Sequence, residues 1–144
     1  MSLINVFNIA GSAMSAQTVR LNTTASNMAN AESVSSSVDQ TYRARKPVFE
    51  LAAPSEAQMM DVDTGLVPGQ GVHVKGIVES DSPLRTEYNP THPMADENGY
   101  VHYPNVNVVE EMADMISASR SFQINAEIMN TAKQMVQRAL TLGQ

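Results

Sequence analysis

A chain of 144 residues has room for one domain, and a hydrophobic content of 42% lies in the ordinary globular range. A formal charge of -6, without any run of Lys or Arg, excludes a surface built to hold nucleic acid or an anionic membrane, since both need clustered cations to displace counterions. Zero Cys removes disulfides, thiolate metal sites and a Cys nucleophile together.

The chain opens on Met1 to Ala16, which has no basic residue before Arg20 and is interrupted by Asn5, Asn8, Gly11 and Ser12, so it is a poor secretory signal. No apolar run approaches the roughly 20 residues of a membrane span. Leu3 to Met28 reads as an amphipathic helix: Ile4, Phe7, Gly11, Met14, Thr18, Leu21, Ala25 and Met28 step by three and four. Its other face is polar but nearly uncharged, with Asn5, Asn8, Ser12, Ser15, Gln17, Asn22, Ser26 and Asn27 against the single cation Arg20. Amides and hydroxyls of this kind suit burial against other protein, where hydrogen bonds are met without desolvating ions. A plain surface helix of middling propensity is the alternative.

From Ala31 to Thr41 the composition turns Ser-rich and predicts a flexible loop. Tyr42 to Leu51 is basic at first, with Arg43, Arg45 and Lys46, then extended through Val48 and Phe49; such a cluster is expected as a solvated strand edge. Ala53 to Gly71, rich in Pro and Gly, predicts loop. Val72, Val74 and Val78 alternate like a strand, with an irregularity expected at Gly76. Asn98-Gly99, flanked by Met94 and by Tyr100 to Tyr103, predicts a hairpin turn. The middle, residues 31–105, is therefore a small β-rich or irregular insert between an N-terminal helix (1–30) and a C-terminal one (106–144).

That last helix is the most strongly patterned part of the chain. Val108, Met112, Met115, Ser119, Phe122, Ala126, Met129, Val136 and Leu140 follow alternating steps of four and three, broken only by Lys133. A second set, Ala118, Ile128, Ala132, Met135, Ala139 and Leu142, lies on another side, so the apolar surface is wider than one partner helix covers. Asn107 is predicted to cap the start by accepting from the backbone of Glu110, with the Glu110 side chain reaching back. Glu110, Glu111 and Asp114 complement the positive end of the helix dipole, Lys133 and Arg138 the negative end, and Gly143 supplies the stop. At about 1.5 Å per residue the helix is on the order of 50 Å long, more than a compact core of this size needs.

No catalytic, cofactor or metal constellation is legible. His73, His92 and His102 lack the spacing of a zinc site, and Asp61 and Asp63 with Gly65 lack the closing Glu of a calcium loop. Glu110, Glu111 and Asp114 have a structural reason at a helix start without any acid-base role. Neither an enzyme nor a small-molecule site is expected. Two classes remain open on the residues alone: a subunit that assembles through its helices, and a helical-hairpin adaptor that holds one partner.

The run YPNVNVVEEM from Tyr103, continued by ISASRSFQINAEIMNTAKQM from Ile116, resembles the carboxy-terminal signature of the bacterial flagellar rod and hook axial proteins, most closely their proximal basal-body rod members. RLNTTASNMANAES from Arg20 is similar to the paired-Asn motif that ends the first helix in that family, although Ala31-Glu32-Ser33 departs from its usual continuation. The resemblance implies a mainly α fold, with the two terminal helices forming an antiparallel coiled-coil-like core. It implies no cofactor, and export by the flagellar type III apparatus without a cleaved signal peptide. Partners would be further copies, other proximal and distal rod proteins, and the MS-ring and export-gate base, with the chain itself in the periplasmic rod. The assembly surface expected from stripe and motif together comprises Ile4, Phe7, Met14, Leu21, Asn22, Asn27, Met28 and Asn30 on the first helix. On the second it comprises Met112, Met115, Phe122, Met129, Val136 and Leu140.

Overall fold

The computed structural model describes residues 3–52 and 71–142. Helix α1 runs Leu3–Ala29 and helix α2 Val108–Leu142, as the three-four spacing of each segment predicts. Among the described residues between them lie a 3-10 turn, Val38–Gln40, and four strands: β1 Arg45–Leu51, β2 Val72–Glu79, β3 Arg85–Tyr88 and β4 Tyr100–Tyr103. The loop expected over 53–70, with Asp61, Asp63 and Gly65, and the Gly143 stop lie outside the described residues.

The strands form two separate two-stranded antiparallel sheets, β1 with β2 and β3 with β4. The expectation of a mainly α, coiled-coil-like molecule is thereby corrected: helix and sheet share the fold, because the insert pairs its strands and fastens them to the helices by hydrogen bonds. Two-stranded sheets are marginal on their own, so those fastenings decide whether the insert is ordered. The expected interruption at Gly76 is absent, since β2 runs through it.

The described residues fall into two compact units. One draws on Met1–Val19, Val48–Gly76 and Ala118–Gln144, the other on Arg20–Pro47 and Ile77–Ser117. In the first unit, Ser12 Oγ donates to the Ile9 carbonyl at 2.8 Å and accepts from the Val72 N–H at 3.1 Å, tying the start of β2 to α1. Gly71 is required beside it, because a Cβ there would collide with the Ser12 side chain.

In the second unit β3 and β4 pair in the register Arg85↔Tyr103 through Tyr88↔Tyr100. Tyr88 packs edge-on against Tyr100 with centroids 5.3 Å apart, and the Arg85 guanidinium sits 4.5 Å over the Tyr103 ring. The hairpin differs from expectation in its first strand, which is Arg85–Tyr88 rather than the stretch around Met94. Asn98-Gly99 belongs to a local turn at the end of a longer connection: Gly99 N–H donates to the Asp96 carbonyl at 3.0 Å, and Gly99 takes φ +80. A Cβ on Gly99 would meet Tyr88 at 3.0 Å and Pro90 at 3.1 Å. Gly99→Ala combines a left-handed backbone with crowding, so it is expected to cost about 1–3 kcal/mol and to lower the melting temperature followed by the near-UV signal of the tyrosines.

The Asp96 carboxylate closes this turn, its Oδ1 accepting from the N–H groups of Asn98 and Tyr100, each at 2.8 Å. His102 Nε2 lies 3.7 Å from the other oxygen. The Tyr100 N–H, more than any other contact, holds the carboxyl below its ordinary value; burial opposes it, and Asn98 and the imidazole add lesser effects in the same direction as Tyr100. A lowered carboxyl value means that the stabilisation is fully present above the ordinary carboxylate value and is lost as pH falls from there through the lowered one. The acid-induced shift of the Tyr100 and Asn98 amide resonances is expected to have its midpoint below the ordinary aspartate value, and to vanish in Asp96→Asn.

The Ser-rich stretch is not a plain flexible linker. Ser33 Oγ donates to the Asn30 carbonyl at 2.7 Å, and Thr41 Oγ1 to the Ser37 carbonyl at 2.7 Å. Ser35 exchanges two backbone bonds of 3.1 Å with His102 on the free side of β4. Hydroxyls that composition reads as linker serve here as turn formers.

Candidate functional site

The polar centre of the second unit is Asn27, near the end of α1 and 1% exposed. Its Nδ2 donates to the Arg45 carbonyl at 2.8 Å and to Glu111 Oε1 at 3.0 Å. Its Oδ1 accepts from the Tyr42 hydroxyl at 2.8 Å and the Arg45 N–H at 2.9 Å. Two donors and two acceptor sites are all that a primary amide has, so one side chain joins α1, the segment entering β1, and the first turn of α2. Glu111, 3% exposed, is drawn inward by the same bond.

Asn105 repeats the device. Its Oδ1 accepts from the Ala44 N–H at 2.8 Å, while its Nδ2 donates to the carbonyls of Ser80 and Ser82 at 3.2 and 2.8 Å. The basic cluster, expected to be solvated, is turned towards its own chain. Arg45 pairs with Glu79 at 2.9 Å, Lys46 with Glu110 at 3.4 Å, and Arg43 reaches the carbonyls of Ser80 and Ser82. These pairs are half-exposed and each is worth little.

At the head of α2, Asn107 Oδ1 accepts from the Val109 N–H at 3.1 Å, not from Glu110, and the Glu110 side chain faces Lys46 instead of reaching back. The cap is therefore single, without the reciprocal bond.

The positions expected to form the assembly surface divide into three groups. Asn27 is not available to a neighbour, since its amide is fully engaged within the chain. Phe7, Met14, Leu21 and Met28 on α1, and Met115, Phe122, Met129 and Val136 on α2, are half-buried, as is Asn30, whose Nδ2 donates to the Ser26 carbonyl at 2.8 Å. Ile4, Asn22, Met112 and Leu140 are exposed, Ile4 at 69% and Leu140 at 67%.

Seven apolar residues are buried outright among the described residues, and six are Ala: Ala10, Ala16, Ala31, Ala44, Ala118 and Ala132, with Val101 the seventh. A core of methyl groups removes little apolar area from water, so the larger side chains of both helices are left without full cover. Val109, Ile116, Ile124, Ile128 and Met135 are each more than two-fifths exposed on α2. Sequence reasoning missed Tyr42, Asn105 and the inward turn of Glu111. The only signal was the run YPNVNVVEEM itself, in which an Asn two residues before the capping Asn has no helical role to fill. No group of three or more His, Asp or Glu among the described residues is placed to hold a metal, and no helix among them is long and apolar enough to cross a membrane.

Residues 7–34 match the family described as flagella basal body rod protein, and residues 97–142 match the flagellar basal body rod FlgEFG protein C-terminal family. The chain is thus a flagellar basal-body rod protein by class. It is 50% identical to the flagellar basal-body rod protein FlgC of Salmonella typhimurium, 49% to that of Yersinia enterocolitica and 42% to that of Buchnera aphidicola from Schizaphis graminum, each over the full length of both chains. It belongs to the FlgC family, whose members are structural components of the flagellar basal body.

Proposed function

We infer that the chain is built into the proximal part of the rod, where copies of it and of other proximal and distal rod proteins stack helically. They form a drive shaft that transmits torque and surrounds the export channel, standing on the MS-ring and export-gate base in the periplasm. The chain reaches that place through the flagellar type III apparatus, without a cleaved signal peptide. What supports this reading is that, among the described residues, no large apolar side chain of either helix is fully buried, a state that association relieves at about 25 cal/mol per Å² of apolar area. A contact between unlike faces whose rotation does not close generates a tube rather than a dimer.

Deleting the coding sequence is expected to abolish swimming and to leave basal bodies without a rod, with both restored by the intact chain. Basal bodies purified from the restored cells should contain the chain in fixed proportion to the other rod proteins. Rods of normal length in the deletion strain would overturn the reading.

A further inference from the structure

Asn98 is the only Asn of the chain that is followed by Gly. Asn side chains are among the chemically labile groups of a protein, and the residue after the Asn decides how easily its own nitrogen reaches the side-chain amide carbon. Gly has no Cβ to obstruct that approach and adopts the backbone angles it needs. Every other Asn here precedes a residue that carries a side chain.

The folded turn holds such an attack back. The Gly99 nitrogen must give up its proton to react, and that N–H donates to the Asp96 carbonyl at 3.0 Å. On either side of it the Asn98 and Tyr100 N–H groups donate to Asp96 Oδ1, each at 2.8 Å, and the Gly99 carbonyl accepts from the Asn89 N–H at 2.9 Å. These bonds fix the dihedral angles that ring closure would have to change. Gly99 is buried, with Tyr88 and Pro90 over the place a side chain would take, whereas Asn98 is exposed to the water that completes the reaction.

We propose that Asn98 is a self-modification site gated by this turn: in the unfolded chain it converts to aspartate and isoaspartate, and in the folded hairpin it is protected. The Gly99 nitrogen bonds to Asn98 Cγ, the Cγ–Nδ2 bond breaks, and ammonia leaves carrying the proton from the Gly99 nitrogen. Water then opens the five-membered imide at either carbonyl. Opening at Cγ leaves an ordinary aspartate; opening at the main-chain carbonyl carbon routes the backbone through the side chain and lengthens it by one methylene. The lengthened chain no longer places the Asn98, Gly99 and Tyr100 N–H groups where Asp96 accepts them. Both products also set a new carboxylate close to that of Asp96, where like charge opposes it. Folding of the hairpin therefore competes with a one-way chemical loss. The chemistry belongs to the chain in solution and holds whether or not the chain is built into a rod.

The full-length chain, incubated in mildly alkaline buffer with and without urea, is followed by peptide mass mapping and by labelling with an isoaspartate-specific carboxyl methyltransferase. Conversion at Asn98 is expected to be about tenfold or more faster in urea, because in buffer it passes through the small population with the turn open, and to outpace every other Asn. Asp96→Ala, in a chain that keeps its far-UV helix signal, is expected to bring the rate in buffer towards that in urea. Asn98→Gln should leave this peptide without a methyl-accepting product. Equal rates for the parent chain in buffer and urea, or an unchanged rate in Asp96→Ala, would overturn the gating. No conversion at Asn98 in urea, or the same product after Asn98→Gln, would overturn the site itself.

Discussion

Asn27→Ala is expected to destabilise the second unit by about 3 kcal/mol or more. The substitution removes four hydrogen bonds at once, and each buried polar group left without a partner costs about 1–3 kcal/mol, more where it is charged. The groups stranded are the Arg45 N–H and carbonyl, the Tyr42 hydroxyl and the buried Glu111 carboxylate. Water entering the vacated space would satisfy part of this, which is why the figure is below the sum. Asn27→Asp should be worse than its near-identical shape suggests, since it deletes both donors and sets a second carboxylate beside Glu111, where the present bond is 3.0 Å. Urea unfolding of the purified chain reads both effects. Glu111→Gln in the Asn27→Asp background should recover part of the loss, because it removes the like charge. An Asn27→Ala chain as stable as the parent would show that the network is incidental.

Phe122→Asp is expected to separate folding from assembly. Phe122 lies half-buried on α2 in the first unit, between the buried Ala118 and the half-buried Asn125 and Met129 along the same face. In the isolated chain an Asp there can turn towards water, so the loss of stability should be about 1–2 kcal/mol, the usual range for a single change. In a rod, where the remaining exposure is covered by neighbours, the carboxylate has no water to turn to and its burial without a partner becomes prohibitive. The expected result is a folded monomer of near-parental helicity that is exported but absent from basal bodies, in cells that do not swim. Normal motility with Phe122→Asp would mean that this face of α2 stays open to solvent in the rod.

Both expectations turn on features that the sequence reveals unequally. The two helices are legible almost to the residue, because Phe7, Met14, Leu21 and Met28, and likewise Met115, Phe122, Met129 and Val136, repeat with the period of a helical face. The centre of each buried face is not legible. On α2 the buried positions follow Glu111, Ala118 and Ala132, so the seam is rotated away from Met112 and Leu140, which are exposed. Periodicity places Ala118 and Ala132 in a second apolar set without showing that it, and not the stripe of larger side chains, is the buried one, and it gives no credit to a carboxylate that has found an amide. The same limit hides Asn27, whose polarity reads as surface although four partners make it core.

The insert was harder to read for a different reason. Arg85–Tyr88 shows no alternation of apolar and polar residues, since all four of its side chains are exposed, and a strand held by its partner's backbone and by the Tyr88–Tyr100 contact leaves little trace in composition. Ser12, Gly71 and Asn105 act on segments far away in the chain, and no local pattern marks such pairs. The hydroxyl- and amide-rich face of α1 was expected to meet other protein. Part of it instead holds this chain's own strands, through Ser12 to Val72 and Asn27 to Arg45, while Asn8, Ser15 and Asn22 stay exposed.

On the rod reading, neighbouring subunits complete the large apolar side chains of α1 and α2. Amide hydrogen exchange, measured on the isolated chain and on the same chain within purified basal bodies, reports on that cover. The amides of residues 120–142 should exchange quickly in the isolated chain and slow by at least a hundredfold in the basal body, whereas those around Asn27, Arg45 and Val101 should be protected in both. Equal protection of 120–142 in the two states would contradict the claim, because it would mean that the helices are already complete in a single copy.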